Sequence, residues 1–547
     1  MTSNLKYLLG GFFFLLTFTN LMAQPDLPSG EVEVVRSFEA RLAEAERIPV
    51  APVLPPPDTS VRRQQYSVNA RPLNMDYPAP IIRPKGVARK RAEAYQNGLV
   101  KVGAGFPSAF YGDLSYDIVG LENFDLGFFA HRHSFNNTNN VENQRTSDTQ
   151  FGAEGTYYNE EGFAVNLGTK FTGQSRAYYG YNFPDNETDT IPSFTSEEVR
   201  QRYNTFEFSG NIFNGVRTEG DFNYRGSIHF YLLDAVNATR ENGFALTLQA
   251  TKWFADKDPL DIKLVTDFTN YRDTAKQTLN NFSLNPTYTA HLDDRLKLKF
   301  GINLTSNDDN FSFFPDVEAS AVIVPGVATV FLGADGNLQK NNLRSLVDFN
   351  PWMKSRIRIR NSKYNRFFGG VTGTVYGISY RGEVSYKTVD DIALFLLDRS
   401  LDIPAFDVVY DTANVITIQG TATLPIVENL DVSATVTQNI YDLDREEKPW
   451  HLPSTTLNTA AIYTLPDQGV QVRADLFLQN GVPFRNSAGE ADNLNTLFDL
   501  SLSGEYKLSD NFGVWLQLNN LANNKWRRFT QYPTIGFNAL GGLSIRF

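Results

Sequence analysis

The stretch that decides the fold is the last one, Phe537–Phe547, which reads FNALGGLSIRF. In an extended strand successive side chains point to opposite faces. One face of this strand carries the apolar residues Leu543, Ile545 and Phe547. The other face carries the small or polar residues Gly542, Ser544 and Arg546. A soluble domain seldom exposes such an edge because it invites aggregation, whereas a closed membrane barrel pairs its last strand with its first. The stretch therefore predicts a transmembrane β-barrel.

The same alternation recurs upstream of the last strand. Residues 498–506 and 512–519 alternate apolar with polar side chains, and this period of two is typical of half-buried strands. Following the pattern back to residue 98 gives about 22 strands, an even number as in single-chain bacterial barrels. The predicted fold class is all-β: a transmembrane antiparallel β-barrel over 98–547, preceded by an extended Pro-rich N-terminal arm.

The connections between the predicted strands alternate in length. Those after even-numbered strands are short, such as Gly120-Leu121 and Pro325-Gly326. Those after odd-numbered strands include the predicted long loops 135–148, 174–199, 335–365, 389–411, 442–452, 480–494 and 522–536. Short turns belong to the periplasmic rim of a barrel and long loops to the outside. Both ends of the barrel are therefore expected on the periplasmic side.

Composition agrees with a barrel. Aromatic residues make up 13% of the chain, as aromatic girdles at both membrane interfaces require. The chain has no Cys, which excludes a disulfide framework and a lipoprotein acyl anchor. The most apolar stretch, 320–334, is broken by Pro325-Gly326 and is predicted to form a hairpin rather than a membrane helix.

The first residues have the pattern of an export signal. Lys6 precedes an apolar run from Tyr7 to Phe18, and Leu21-Met22-Ala23 precedes Gln24. We therefore expect a signal peptide over 1–23, cleavage after Ala23 and an outer-membrane location in a Gram-negative bacterium.

Residues 24–97 lack the barrel pattern and are rich in proline, which predicts an extended arm. Residues 59–97 contain eight Lys or Arg and two acidic residues, a net charge of +6, whereas 98–547 contain 38 basic and 52 acidic residues, a net charge of −14. Such an arm can lie in the barrel mouth or lumen through charge attraction, or dock a periplasmic or lipoprotein partner. A solvated periplasmic tether is the alternative.

The end of the chain carries a family resemblance. Asn520-Leu521-Ala522-Asn523, followed by Tyr532-Pro533, Gly541-Gly542 and Phe547, resembles the C-terminus of TonB-dependent outer-membrane receptors of Bacteroidota type. The resemblance implies a solute-transporting barrel, and it implies that Phe547 is part of the signal read by the barrel-assembly machinery.

The chain departs from this family before its first strand. The arm is too short and too Pro-rich to fold as the plug of such receptors. Residues 31–35 have the acidic and aliphatic character of a TonB box, but such pentads are common, so TonB is not predicted as a partner.

Candidate ligand residues fall on predicted inward faces. His131 and His133 form an H-x-H pair that can hold a metal, although no third ligand can be assigned and a plain polar lumen is the favoured alternative. Further inward residues are predicted to be Arg225, His229, Arg295, Lys297 and Lys299. Rings of such cations can bias anion passage, unless neighbouring acidic strands neutralise them.

Two predicted loops also stand out. Within 335–365, the cations Lys354, Arg356, Arg358 and Arg360 alternate with other residues, a pattern suited to contact with anionic lipopolysaccharide or an acidic ligand. Trp450-His451, near several acidic residues, suggests a cation or sugar site. A solvated loop is the alternative at both places.

No catalytic set, cofactor motif, metal-ligand cluster or nucleic-acid module is predicted. The fragment His133-Ser134 is only an adjacency, and neighbouring residues of a strand point to opposite faces. The sequence favours a non-enzymatic outer-membrane barrel in contact with lipid and lipopolysaccharide, acting as a transporter or pore. The alternative is a scaffold component of an outer-membrane complex without transport activity.

Overall fold

The structure is a computed structural model that describes residues 96–184, 191–308, 310–427 and 429–547. The predicted signal peptide and all but the last two residues of the predicted arm lie outside the described residues. Among the described residues, no helix is long and apolar enough to span a membrane.

The described chain forms one closed antiparallel sheet of 22 strands, which confirms the predicted fold class. Its strands are β1 (Gly98–Phe106), β2 (Ala109–Leu121), β3 (Phe124–Asn136), β4 (Arg145–Tyr158), β5 (Phe163–Ala177), β6 (Arg200–Asn214), β7 (Phe222–Ala235), β8 (Arg240–Phe254), β9 (Asp258–Arg272), β10 (Lys276–His291), β11 (Leu296–Asn307), β12 (Asn310–Val324), β13 (Ala328–Asn341), β14 (Arg360–Val375), β15 (Ile378–Asp398), β16 (Ala405–Val427), β17 (Leu430–Leu443), β18 (Thr455–Leu465), β19 (Val470–Asn480), β22 (Leu497–Lys507), β23 (Phe512–Asn519) and β26 (Asn538–Arg546).

The loops contain a little regular structure of their own. Two small hairpins pair β20 (Pro483–Arg485) with β21 (Ala491–Asn493) and β24 (Arg527–Phe529) with β25 (Tyr532–Pro533). One α-helix, α1 (Leu343–Phe349), follows β13, and single 3-10 turns occur at Gly180–Asn182 and Pro466–Gln468.

The barrel closes where the sequence predicted, between the last strand and the first. β26 pairs with β1 from Leu99↔Arg546 to Phe106↔Ala539. The amide of Gly98 donates to the Phe547 carbonyl at 2.8 Å, and the Phe547 ring stacks on Tyr116 with centroids 5.8 Å apart. The terminal aromatic residue is thus part of the closure.

Burial follows the pleat of the strands. In β8 the side chains of Phe244 and Leu248 point outward and are exposed, whereas Glu241 points inward and is buried. In β26 the outward Leu543 is exposed and the inward Ser544 is buried. The outer surface therefore offers an apolar face to lipid, as a membrane barrel requires.

Two predicted loops are shorter than expected. The strands β13 and β14 extend into both ends of the predicted loop 335–365 and leave 342–359, and β15 and β16 reduce 389–411 to 399–404. The ends of β13 and β14 are polar on both faces, and the ends of β15 and β16 carry runs of apolar residues on both faces, so hydrophobic alternation marks neither pair, but backbone pairing continues there. A register shift between Val389 and Ile392 interrupts the alternation further.

Candidate functional site: a lumen crossed by its loops

The inner wall is polar, and many of its charges are paired. Lys299 Nζ lies 2.6 Å from the Asp316 carboxylate, and Lys340 Nζ lies 2.7 Å from Asp267. The neutralisation by neighbouring strands that the sequence left open therefore occurs at Lys299.

The other predicted lumen cations have separate surroundings. His229 Nε2 lies 3.1 Å from Glu207 on β6, and the Arg225 guanidinium lies 5.3 Å from the centre of the Phe213 ring. Lys297 points inward near the periplasmic rim. Arg295 does not belong to a strand, because β11 begins one residue later and Arg295 sits in the preceding turn. The structure therefore does not bring the predicted lumen residues together at one site.

His131 and His133 do face inward on β3. Both rings make edge contacts with Tyr111 of β2, at centroid distances of 5.4 Å and 6.0 Å. Nowhere in the described ranges do three or more His, Cys, Asp or Glu side chains come close enough to hold a metal ion. The pair thus forms part of an aromatic strip on the lumen wall.

The segment 342–359, which we call the crossing loop, runs through the lumen from one wall to the other. Its Trp352 donates from Nε1 to the Ala177 carbonyl at the end of β5, at 3.2 Å. The Trp352 carbonyl accepts a hydrogen bond of 2.8 Å from the amide of Phe406 in β16. β5 and β16 stand on opposite sides of the barrel, with ten strands between them in either direction. One residue therefore joins opposite walls.

The crossing loop then turns to a third part of the wall. Tyr271 of β9 donates to the Ser355 carbonyl at 2.5 Å, and Gln277 of β10 donates to the Ile357 carbonyl at 2.8 Å. These bonds satisfy backbone carbonyls of a loop segment whose Met353, Ile357 and Ile359 side chains are buried.

Aromatic side chains from other loops pack on the crossing loop. Trp352 stacks on Tyr532 with ring centroids 4.3 Å apart, and Tyr532 contacts Tyr179 at 5.2 Å. Phe529 packs edge-on against Trp352 and Phe406. Together these residues form an aromatic cluster at the end of the barrel opposite Gly98 and Phe547.

Helix α1 anchors the start of the crossing loop. The buried carboxylate of Glu241 accepts hydrogen bonds from the Leu343 amide at 2.7 Å and from the Asn342 side chain at 2.8 Å. Asn342 also caps the helix by accepting from the Ser345 amide. Arg344 reaches Glu207 on β6 at 2.9 Å.

The four predicted loop cations divide into two pairs. Lys354 contacts Asp398 and lies 3.0 Å from Asp407, and Arg360 lies 2.5 Å from Asp391. Burial alone would lower the pKa of Lys354, but the hydrogen bonds to the two aspartates raise it overall. The side chains of Arg356 and Arg358 are exposed.

Trp450 and His451 are not an exposed binding surface. Both are buried, and His451 stacks on Phe529 with centroids 5.7 Å apart. Burial lowers the pKa of His451 from 6.5 to about 4. Both residues are part of the packed core of the loops. The sequence analysis predicted either a cation or sugar site or a solvated loop here, and neither is observed.

Solved structures share the fold of this barrel. The barrel superposes on the copper transporter OprC with a TM-score of 0.63 at 11% identity, covering 83% of each chain. It superposes on the pyoverdine receptor FpvA of Pseudomonas aeruginosa PAO1 with a TM-score of 0.62 at 10% identity, covering 83% of this chain and 78% of the receptor. The fold is that of an outer-membrane receptor barrel. A mutant of the ferric enterobactin receptor PfeA of Pseudomonas aeruginosa gives a TM-score of 0.60 at 12% identity, covering 82% and 80% of the two chains.

These neighbours confirm the fold-level resemblance to TonB-dependent receptors. No protein-family model matches the sequence, and no curated protein matches it.

The sequence pattern does not indicate Glu207, Glu241, Trp352 or Tyr532 as functional residues. The aromatic residues of the loops, such as Tyr178-Tyr179 and Tyr181, are a signal that the loops are packed. Consecutive aromatic residues are uncommon in a loop that is exposed to solvent.

Proposed function

We propose that this chain is a solute-transport barrel of the outer membrane whose lumen is closed at rest by the crossing loop. The observation that carries the proposal is Trp352, which hydrogen bonds to opposite walls of the barrel. A barrel of this strand number encloses a wide interior. A loop fixed across that interior obstructs a pore that would otherwise be open. Transport then requires the loop to move or to be displaced.

A polar chamber on the inner wall suits a polar solute. A cavity of about 430 Å³ is lined by residues of β9 to β14, among them Asp267, Asn281, Asn303 and Tyr364. Amide groups and paired charges can bind a hydrophilic solute that carries no fixed net charge. Copper, pyoverdine and ferric enterobactin are named for the neighbouring structures. We do not propose them as solutes of this chain, because it shares only the fold with those proteins.

The N-terminal arm completes the proposal. We infer that residues 24–97 act from the periplasmic side, either by gating the lumen or by docking a periplasmic partner. The inference is supported by charge, since the arm is basic over 59–97 and residues 98–547 carry a net charge of −14. In this proposal the folded loops block the lumen from the loop end of the barrel and the arm acts from the periplasmic end.

Single-channel conductance in planar bilayers tests the proposal. The full chain, a chain lacking 24–97, the loop variant W352A/Y532A and the two changes combined are compared, each in the same lipid. The matched control is Trp253→Ala, which removes an inward indole that bonds to Asn223 at 2.9 Å, far from the crossing loop. We expect brief or no openings in the full chain and in the control, and long openings in the loop variant.

The outcomes separate the two functions. If the loop variant opens more often without the arm than with it, the arm gates the lumen. If removing the arm adds no openings, docking of a periplasmic partner is the remaining role of the arm. If the loop variant and the truncated chain are both silent, transport is contradicted and the scaffold alternative is favoured, to be pursued by co-purification of a partner.

A further inference from the structure

Three cations stand side by side on the outer face of the barrel. Arg240, Arg272 and Lys276 lie at the loop ends of β8, β9 and β10, and the sheet register pairs Arg240 with Arg272 and Arg272 with Lys276. Residues paired in this way on one face have Cβ atoms about 5 Å apart. The three side chains therefore form a continuous row of positive charge.

The row faces outward rather than into the lumen. In β8 and β9 the neighbouring residue of opposite pleat is buried on the lumen side, as Glu241 and Tyr271 show, and in β10 the buried residue of that pleat is Leu279. Phe244 and Phe268, which share the pleat of the cations, are exposed. The cations accordingly share a face with the lipid-contacting side chains.

The position of the row along the strands matches the edge of a membrane. Beneath it, the register places Asn242, Asn270 and Thr278 in a polar row, and the next row contains Phe244 and Phe268. At the other end of β8, Lys252 is the next outward cation. With about 3.4 Å per residue and a tilt of about 40°, the strand rises about 30 Å from Arg240 to Lys252, close to the thickness of the apolar core. Arg240, Arg272 and Lys276 thus lie at the level of the lipid headgroups.

The charge of the row is only partly compensated. Asp234 of β7 lies 2.9 Å from Arg240, and both side chains are mostly exposed. Within the part of the chain that the structure describes, no carboxylate lies within ion-pair distance of Arg272 or Lys276. Like charges placed directly opposite each other destabilise a sheet, so an anion between them would relieve repulsion.

A groove accompanies the row. It has a volume of about 710 Å³, and its lining includes the outward-facing Leu232, Asp234, Arg240, Asn270, Arg272 and Lys276 besides the inward-facing Leu233, Glu241 and Tyr271. Guanidinium and ammonium groups bind phosphate oxygens, and the amide side chains below can bind sugar hydroxyls. The groove therefore joins a phosphate-binding upper edge to an apolar lower wall.

We propose that this groove binds the phosphorylated headgroup of a glycolipid of the outer leaflet, with the acyl chains lying along the apolar rows of β7 to β10. The proposal rests on the barrel lying in an outer membrane and names the lipid partner of its outer face. A lipid is assigned rather than free phosphate because the cations continue downward into lipid-facing Phe244 and Phe268. Of the loop cations that the sequence singled out for lipopolysaccharide contact, Lys354 and Arg360 instead contact aspartates of β15.

Retention of lipid A by the purified full chain tests the site. Diphosphorylated lipid A and its dephosphorylated form are offered in detergent micelles, and the retained lipid is counted by mass spectrometry. The variant R272Q/K276Q removes the two uncompensated cations. The control R295Q/K297Q removes one Arg and one Lys at the periplasmic end, where both side chains are exposed. Heat-modifiable migration in gel electrophoresis checks that each variant is folded.

We expect the wild type and the control to retain the diphosphorylated lipid, and R272Q/K276Q to bind it about 10- to 30-fold more weakly. Equal binding of the dephosphorylated lipid, or equal loss in both double variants, would overturn the site. Displacement of the lipid by millimolar inorganic phosphate would overturn the lipid assignment and leave a free-anion site. None of these readings uses conductance, so failure of the transport proposal is distinguishable from failure of this one.

Discussion

The guanidinium of Arg344, in helix α1, donates a hydrogen bond of 2.9 Å to the Glu207 carboxylate on β6. The same carboxylate lies 3.1 Å from Lys170 and 3.1 Å from His229, which both belong to the barrel wall. Arg344 belongs to the crossing loop. Movement of α1 away from the wall would therefore break this contact while Glu207 keeps its wall partners, which makes the contact a latch that can open at moderate cost.

Arg344→Gln is expected to open the crossing loop more often. A charge-assisted hydrogen bond at a partly exposed site contributes about 1–2 kcal/mol, so the open population should rise roughly 5- to 30-fold. Single-channel open probability measures it. Arg356→Gln is the control, because Arg356 is an exposed cation of the same loop for which the described residues offer no ion pair. Equal opening in the two variants would show that loop charge, not the latch, holds the loop.

Glu241→Ala is expected to release the whole crossing loop. The Glu241 carboxylate accepts from Asn342, Leu343 and Tyr231, and its removal leaves buried donors unsatisfied at a cost of about 3 kcal/mol or more. Trypsin should then cleave within 342–359, and we expect the wild-type loop to be protected from this cleavage. Glu318→Ala, which removes a lumen carboxylate from the periplasmic half of β12, should leave the protection intact. Protection of the loop in the Glu241 variant would contradict the anchoring role.

The barrel could be predicted because its signal is local. Alternation along each strand, and the hairpin at Pro325-Gly326, depend only on residues that are neighbours in sequence, and the structure confirms both. The crossing loop could not be predicted in this way. Trp352 and its partner Ala177 are 175 positions apart, and a buried loop has no periodicity to reveal its burial. The row of Arg240, Arg272 and Lys276 likewise depends on the pairing register of β8, β9 and β10, which cannot be read from the sequence.

Acidic pH is expected to loosen the loop packing through His451. Its Nδ1 lies 2.7 Å from the Phe395 carbonyl and its Nε2 accepts from the Thr530 amide, an arrangement that requires a neutral ring. Because burial lowers its pKa from 6.5 to about 4, opened loops bind a proton in this range that packed loops do not. The stability is complete above pH 6.5 and falls as the pH drops towards 4, by about 2 kcal/mol at pH 5.

Near-UV circular dichroism follows this loss, since Trp352 and Trp450 lie in the packed loops. The thermal midpoint of the aromatic signal should fall between pH 7 and pH 5 in the wild type. His451→Gln should lower the midpoint at pH 7 but remove most of its pH dependence. An unchanged pH dependence in this variant would assign the effect to other groups.

Gly542→Ala is expected to weaken the closure of the barrel. A Cβ on Gly542 would meet the Val102 carbonyl and lie 2.6 Å from Cα of Gly103, both in the backbone of β1. Since backbone atoms cannot rotate away, the β1–β26 pairing that closes the sheet must shift. Overpacking of this kind costs about 1–3 kcal/mol. The temperature at which the folded band is lost in heat-modifiable electrophoresis should fall.

Gly382→Ala provides the matched control for this closure. Gly382 lies inside β15, and a Cβ there would meet no atom within 4 Å. The two substitutions add the same methyl group to a strand glycine, so they restrict the unfolded chain alike and differ in what the methyl group meets. We expect the control to melt at or slightly above the wild-type temperature. An equal fall in both variants would mean that any added strand methyl is harmful, and that close packing of β26 on β1 does not limit the stability of the barrel.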